Sequence, residues 1–129
     1  KLNQALAEIQ SKTAGQKFRF VSITCDPESD TPEALLRYAQ HFKADPQRWT
    51  FLTGPMKQIR SIARDVFTVS LEARQHSDRC IVFDGAGAVR GTYLLTDRDQ
   101  VDKLERLLAK LAAEPASAPS DGQRPAQPE

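Results

Sequence analysis

Cys80-Ile81-Val82-Phe83-Asp84-Gly85-Ala86-Gly87-Ala88-Val89-Arg90-Gly91-Thr92-Tyr93-Leu94 reads as two strands, 80–83 and 88–94, folded back on an Asp-Gly-Ala-Gly turn. β-branched and aromatic side chains suit a pleated, half-buried surface, and glycine reaches the left-handed backbone that a tight turn demands. The spacing predicts an antiparallel hairpin. Downstream, Val101, Leu104, Leu107, Leu108 and Leu111 recur at helical intervals, and Asp97 or Asp99 can cap the helix start. Past Ala113 no large apolar side chain remains to offset the entropy of ordering, so residues 114–129 are expected to be a disordered tail behind a domain at 1–113.

Upstream, strands and helices alternate. Leu2, Ala5, Leu6 and Ile9 have helical spacing until Gly15 breaks the pattern. Phe18 to Cys25 then reads as a buried strand closed by Asp26-Pro27. Asp30-Thr31-Pro32-Glu33 is a helix start capped by Asp or Thr, ahead of a stripe at Leu35, Tyr38, Ala39 and Phe42. Trp49 to Thr53 is a short strand stopped by Gly54-Pro55, and Ile59, Ile62, Ala63 and Val66 form the face of another helix. The order αβα-βα-ββα outlines an α/β sandwich with a mixed sheet in one compact unit.

Composition excludes several functions. Lys and Arg total 18 against 17 Asp and Glu, and no basic run exists to follow phosphates, so nucleic acid is not an expected partner. No stretch approaches the roughly 20 apolar residues of a bilayer span, so no direct membrane insertion is expected of this chain. Cys25 and Cys80 match neither zinc-finger nor C-x-x-C spacing. Gly85-Ala86-Gly87 lies between strands and lacks the length and following helix of a nucleotide loop. No nucleophile elbow supports a hydrolase. His41, beside Phe42, reads as a helix-surface residue, and Trp49 as packing. Arg98, Asp102, Lys103 and Arg106 read as the solvated face of the last helix.

Val21-Ser22-Ile23-Thr24-Cys25-Asp26-Pro27-Glu28-Ser29-Asp30-Thr31-Pro32, then Trp49-Thr50-Phe51-Leu52-Thr53-Gly54, then His76-Ser77 followed by Val82-Phe83-Asp84-Gly85 and Gly87, resembles the Sco/SenC family of thioredoxin-like copper proteins. The resemblance implies a membrane-anchored chaperone that delivers copper to the CuA-bearing subunit of cytochrome c oxidase, or a reductant of that site's thiols. It also implies a periplasmic location, or the mitochondrial intermembrane space in a eukaryote. The family's site is a C-x-x-x-C pair plus one distant His. Soft thiolates favour Cu(I), imidazole suits both oxidation states, and few ligands leave the metal transferable. Only the His position is matched here, by His76.

A chain that starts at Lys1, inside a helix, is expected to have lost upstream sequence, and with it the C-x-x-x-C and the central strand of the thioredoxin-like sheet. Such a gap leaves backbone groups unpaired, so the fragment is expected to be destabilised, rearranged or self-associating. His76 is then a copper ligand through one ring nitrogen, or simply a loop histidine. Cys25 and Cys80 are substitute thiol ligands beside His76, or core positions, which is where cysteine is usually found. Asp26 and Asp30 shape the site's rim and meet a partner, or make turns and caps. Two other functions stay open: a thiol-disulfide oxidoreductase or peroxiredoxin-like enzyme, which needs an exposed low-pKa thiol, and a metal-free thioredoxin-like binding module.

Overall fold

The computed structural model describes residues 2–68 and 78–115. They form α1 (Leu2–Lys12), β1 (Phe20–Ile23), α2 (Pro32–His41), β2 (Trp49–Leu52), α3 (Met56–Asp65), β3 (Arg79–Phe83), β4 (Val89–Leu94) and α4 (Arg98–Ala113), the order expected from the sequence. The chain divides into two compact units, Lys1–Ser77 and Asp78–Glu129. The first unit holds a parallel pair, β1–β2, and the second an antiparallel pair, β3–β4, each a two-stranded sheet of its own. No strand among the described residues joins them into one ladder.

In the first unit Phe20, Val21, Ser22 and Ile23 pair with Trp49, Thr50, Phe51 and Leu52. The ladder runs on at both ends, where the Phe20 amide donates to the Arg48 carbonyl and the Thr24 amide to that of Leu52. Side chains alternate between faces. One face carries Phe20, Trp49 and Phe51, with the Trp49 and Phe51 rings stacked at 5.0 Å. Trp49 is buried, and its indole N–H donates to Ser22 Oγ at 2.9 Å, satisfying the polar edge of a core ring. The opposite face leaves Val21 58% and Leu52 44% exposed.

The end of α1 is held by polar groups from far along the chain. Arg48 Nη1 donates to the Gln10 carbonyl (3.1 Å), and Nη2 to the Thr13 carbonyl (3.0 Å) and Thr13 Oγ1 (2.9 Å). A cation is favoured there, since the last carbonyls of a helix lack partners and carry its negative pole. The guanidinium also lies 5.5 Å from the Phe20 ring centre. Gln10 adds a second tie, donating to the Lys43 carbonyl and accepting from the Asp45 amide.

Of the two expected caps, Thr31 caps α2: its Oγ accepts from the Ala34 amide at 3.2 Å, with Pro32 in the first turn. The stripe expected to be buried is not. Leu35, Ala39 and Phe42 are half-buried, Tyr38 is exposed, and no α2 residue is fully buried. Two strands about 4.8 Å apart are narrower than a helix of about 10 Å and offer too little surface to cover so wide an apolar arc. α3 divides likewise, with Ile59 and Ala63 buried and Ile62 and Val66 exposed.

In the second unit the hairpin forms as expected, with Arg79, Cys80, Ile81 and Val82 opposite Leu94, Tyr93, Thr92 and Gly91. The register then slips, and Phe83 pairs with Val89, so Arg90 is the extra residue of a bulge. Asp84 Oδ1 accepts from the Ala86 and Ala88 amides, and Gly87 takes φ 84°. Asp97 caps α4 through the Asp99 and Gln100 amides. Gln100 reaches back to accept from the Leu94 amide at 2.8 Å, fixing the helix's first turn to β4. Leu104 and Leu108 of α4 are buried, as are Val82 and Leu95.

Candidate functional site

His76 lies outside the described residues, as does most of the expected tail, residues 116–129. Glu114, read as the head of that tail, is instead the C-cap of α4. The remaining candidates fall at the carboxyl end of β1, where ligands gather in open α/β sheets, and on β3.

At the β1 corner the structure brings together Thr24, Cys25, Asp26 and Asp30. The buried Thr24 hydroxyl donates to Asp30 Oδ2 at 2.5 Å and accepts from the Asp26 amide at 2.9 Å. The Asp30 and Ser29 amides both donate to the Asp26 carbonyl, closing the turn that Asp-Pro begins. Asp30 thus ties the turn to the strand end, and both carboxylates are half-buried at its rim. Thr24 is the organising residue that the sequence did not single out. Its signal was a hydroxyl directly ahead of the Cys-Asp-Pro turn, with a second carboxylate six residues on.

Cys25 is buried at this corner. Burial pushes its thiol above the ordinary value; the charges of Asp30 and Asp26 add to this, and a hydrogen bond with its own backbone opposes it. Cys80 belongs to the other unit, on β3 opposite Tyr93, and burial raises its thiol to about 11. Both are thiols rather than halves of a disulfide. A soft-metal site or a thiol nucleophile needs thiolates, and both environments favour the protonated form.

Among the described residues no three His, Cys, Asp or Glu side chains converge to hold a metal ion. By donor chemistry, then, the described residues do not fit a copper centre on their own. His41 is exposed and stands edge-on to Phe42, with ring centres 4.8 Å apart. No helix among the described residues is long and apolar enough to cross a membrane.

A profile of the SCO1/SenC family matches residues 1–113. The SCO1 protein homolog of Bacillus subtilis (strain 168) is 27% identical over 79 residues, which are 59% of this chain and 41% of that protein. The chain therefore spans about two fifths of the length of this relative. Among solved structures, a SCO1/SenC family lipoprotein from Bacillus anthracis str. Ames superposes with a TM-score of 0.76 at 25% identity, covering 86% of this chain and 71% of that one. BsSco, described as a member of the Sco family of cytochrome c oxidase assembly proteins and as carrying a disulfide switch, gives 0.72 at 20% identity, covering 87% and 70%. The likeness fixes the fold as thioredoxin-like, and the family match extends over 113 of the 129 residues: the chain belongs to the SCO1/SenC family.

Proposed function

We propose that this chain is the thioredoxin-like part of an assembly factor for cytochrome c oxidase, with copper as its cargo and the CuA-bearing subunit as its acceptor. His76 is the copper ligand the chain contributes, and Asp26 and Asp30 form the rim that meets the acceptor. The observation that carries the proposal is the SCO1/SenC match across residues 1–113, a span that includes His76. Thiolate ligands would come from the C-x-x-x-C motif that the family resemblance implies for the parent; burial raises both the Cys25 and Cys80 thiols, which counts against them as substitutes. The parent would be membrane-anchored and extracytoplasmic, as the likeness to a lipoprotein supports. A thiol enzyme built on Cys25 or Cys80 is disfavoured, since neither sits at a helix N-terminus and both thiols are raised rather than lowered.

The test is genetic and spectroscopic. Disrupting the gene in its host should lower the CuA absorption of the assembled oxidase, and the wild-type gene should restore it. His76→Ala should fail to restore it, whereas His41→Ala and the Cys25→Ser, Cys80→Ser pair should succeed. Rescue of the disrupted strain by added copper, but not by an added thiol reductant, is the result expected of delivery rather than reduction. Undiminished CuA absorption on disruption would overturn the assembly role, and full restoration by His76→Ala would remove His76 from the site.

A further inference from the structure

Three features of the second unit converge on Arg90. The bulge in β4 makes Arg90 the residue with no partner across the ladder, and bulges re-aim side chains. Its guanidinium donates to both Glu114 oxygens, Nη1 to Oε2 at 2.9 Å and Nη2 to Oε1 at 2.8 Å, the bidentate geometry that makes such pairs strong. Nη1 also reaches Asp84 Oδ2 at 3.4 Å, while Oδ1 of the same carboxylate organises the turn between β3 and β4. Glu114, meanwhile, stands where a carboxylate is ordinarily unwelcome, at the C-terminal, negative end of α4. A cation presented by the neighbouring strand reverses that penalty.

We infer that Arg90, Asp84 and Glu114 form a latch that holds the last turn of α4 to the β3–β4 turn and fixes where α4 ends. The Arg90 side chain is only 27% exposed, so water competes less for it than for an ordinary surface pair. The charged groups around it are Asp84 from the turn and Glu114 and Lys110 from α4. Glu114 lies below its ordinary range chiefly through the Arg90 hydrogen bond, and Asp84 chiefly through that of the Ala88 amide. Groups lowered on folding stabilise above their unfolded pKa values and lose that contribution as pH falls through the folded ones. The latch therefore stays shut at neutral pH and opens in acid, as pH falls below the ordinary carboxylate range. Opening frays α4 from its end and leaves the buried Leu104 and Leu108 in place.

Amide hydrogen exchange on the whole 129-residue chain tests the latch. Glu114→Gln and Arg90→Lys should each speed exchange at residues 111–114 and at Gly87 and Ala88 by roughly two- to fivefold, with Ile81 and Val82 in the ladder unchanged. The doubly substituted chain should show less than the product of the two effects, because each substitution opens the same latch. Acid should open the wild type more than Glu114→Gln. Unchanged exchange at 111–114 in both variants would overturn the inference. Acceleration of Ile81 and Val82 by the same factor would also overturn it, by showing a loss of general stability instead.

Discussion

The two units satisfy their polar groups over different distances along the chain. In the hairpin unit Asp84, Arg90, Asp97 and Gln100 find partners within 24 residues, and most within six. In the first unit the decisive bonds join Gln10 to Lys43, Thr13 to Arg48 and Ser22 to Trp49, separations of 33, 35 and 27 residues. An antiparallel ladder closes over a short turn, while a parallel pair needs a long crossover before any strand bond forms. The hairpin unit therefore rests on local order, whereas the first unit rests on one aromatic face and one clamp.

The sharpest way to break this contrast is to empty each core. Trp49→Ala removes a buried ring stacked on Phe51 and orphans Ser22 Oγ, for an expected loss of about 3–5 kcal/mol. Leu104→Ala removes the most buried side chain of α4, for about 2–5 kcal/mol. Urea unfolding followed by circular dichroism measures both. Trp49→Phe keeps an aromatic ring against Phe51 but loses the N–H bond and part of the ring volume, so it should recover only part of the difference. A Trp49→Ala cost below about 1 kcal/mol would mean that the aromatic face is not the first unit's core.

The same contrast explains what the sequence disclosed. The hairpin, its Gly87 turn and the capped amphipathic α4 are written in residues a few positions apart, and all were readable. Periodicity also found the strand at Trp49, but it could not say how much of α2 would be covered, because burial depends on what lies opposite. Asp30 and Thr31 were both plausible caps by type, and only the backbone shows Asp30 turned to the Thr24 hydroxyl instead. The clamp at Arg48 left no local pattern at all. At the site, the Asp-Pro corner was legible as a turn, its hub at Thr24 was not, and His76 rests on resemblance alone.

Arg48 gives a smaller and more specific test of the long-range unit. Arg48→Ala leaves the Gln10 and Thr13 carbonyls and the end of α1 without their cation, an expected loss of about 1.5–3 kcal/mol. Arg48→Lys should restore less than half of it, since an ammonium cannot span all three acceptors in one plane. Trp49 is the chain's one tryptophan, so its fluorescence reports this unit directly during thermal unfolding. Equal stability of the Lys variant and the wild type would reduce the clamp to a bare charge at a helix end.

The smallest expected effect compares the two thiols, one in each unit. Cys80 is raised to about 11 from an ordinary 9.0, and Cys25 is raised as well, both chiefly by burial. In each case the unfolded chain releases its proton first as pH rises. The folded state's advantage is thus complete below about pH 9 and, for Cys80, is lost between about 9 and 11. For that residue the loss should be on the order of 1–2 kcal/mol. Cys80→Ala should flatten the fall in stability across this window, and Cys25→Ala should flatten it less, because its neighbours Asp26 and Asp30 and its own backbone bond pull in opposite directions. Alkylation of the native chain at pH 8 should be slow at both positions. A thiol that reacts quickly there would be a thiolate in the folded protein, and burial would no longer explain why that cysteine sits where it does.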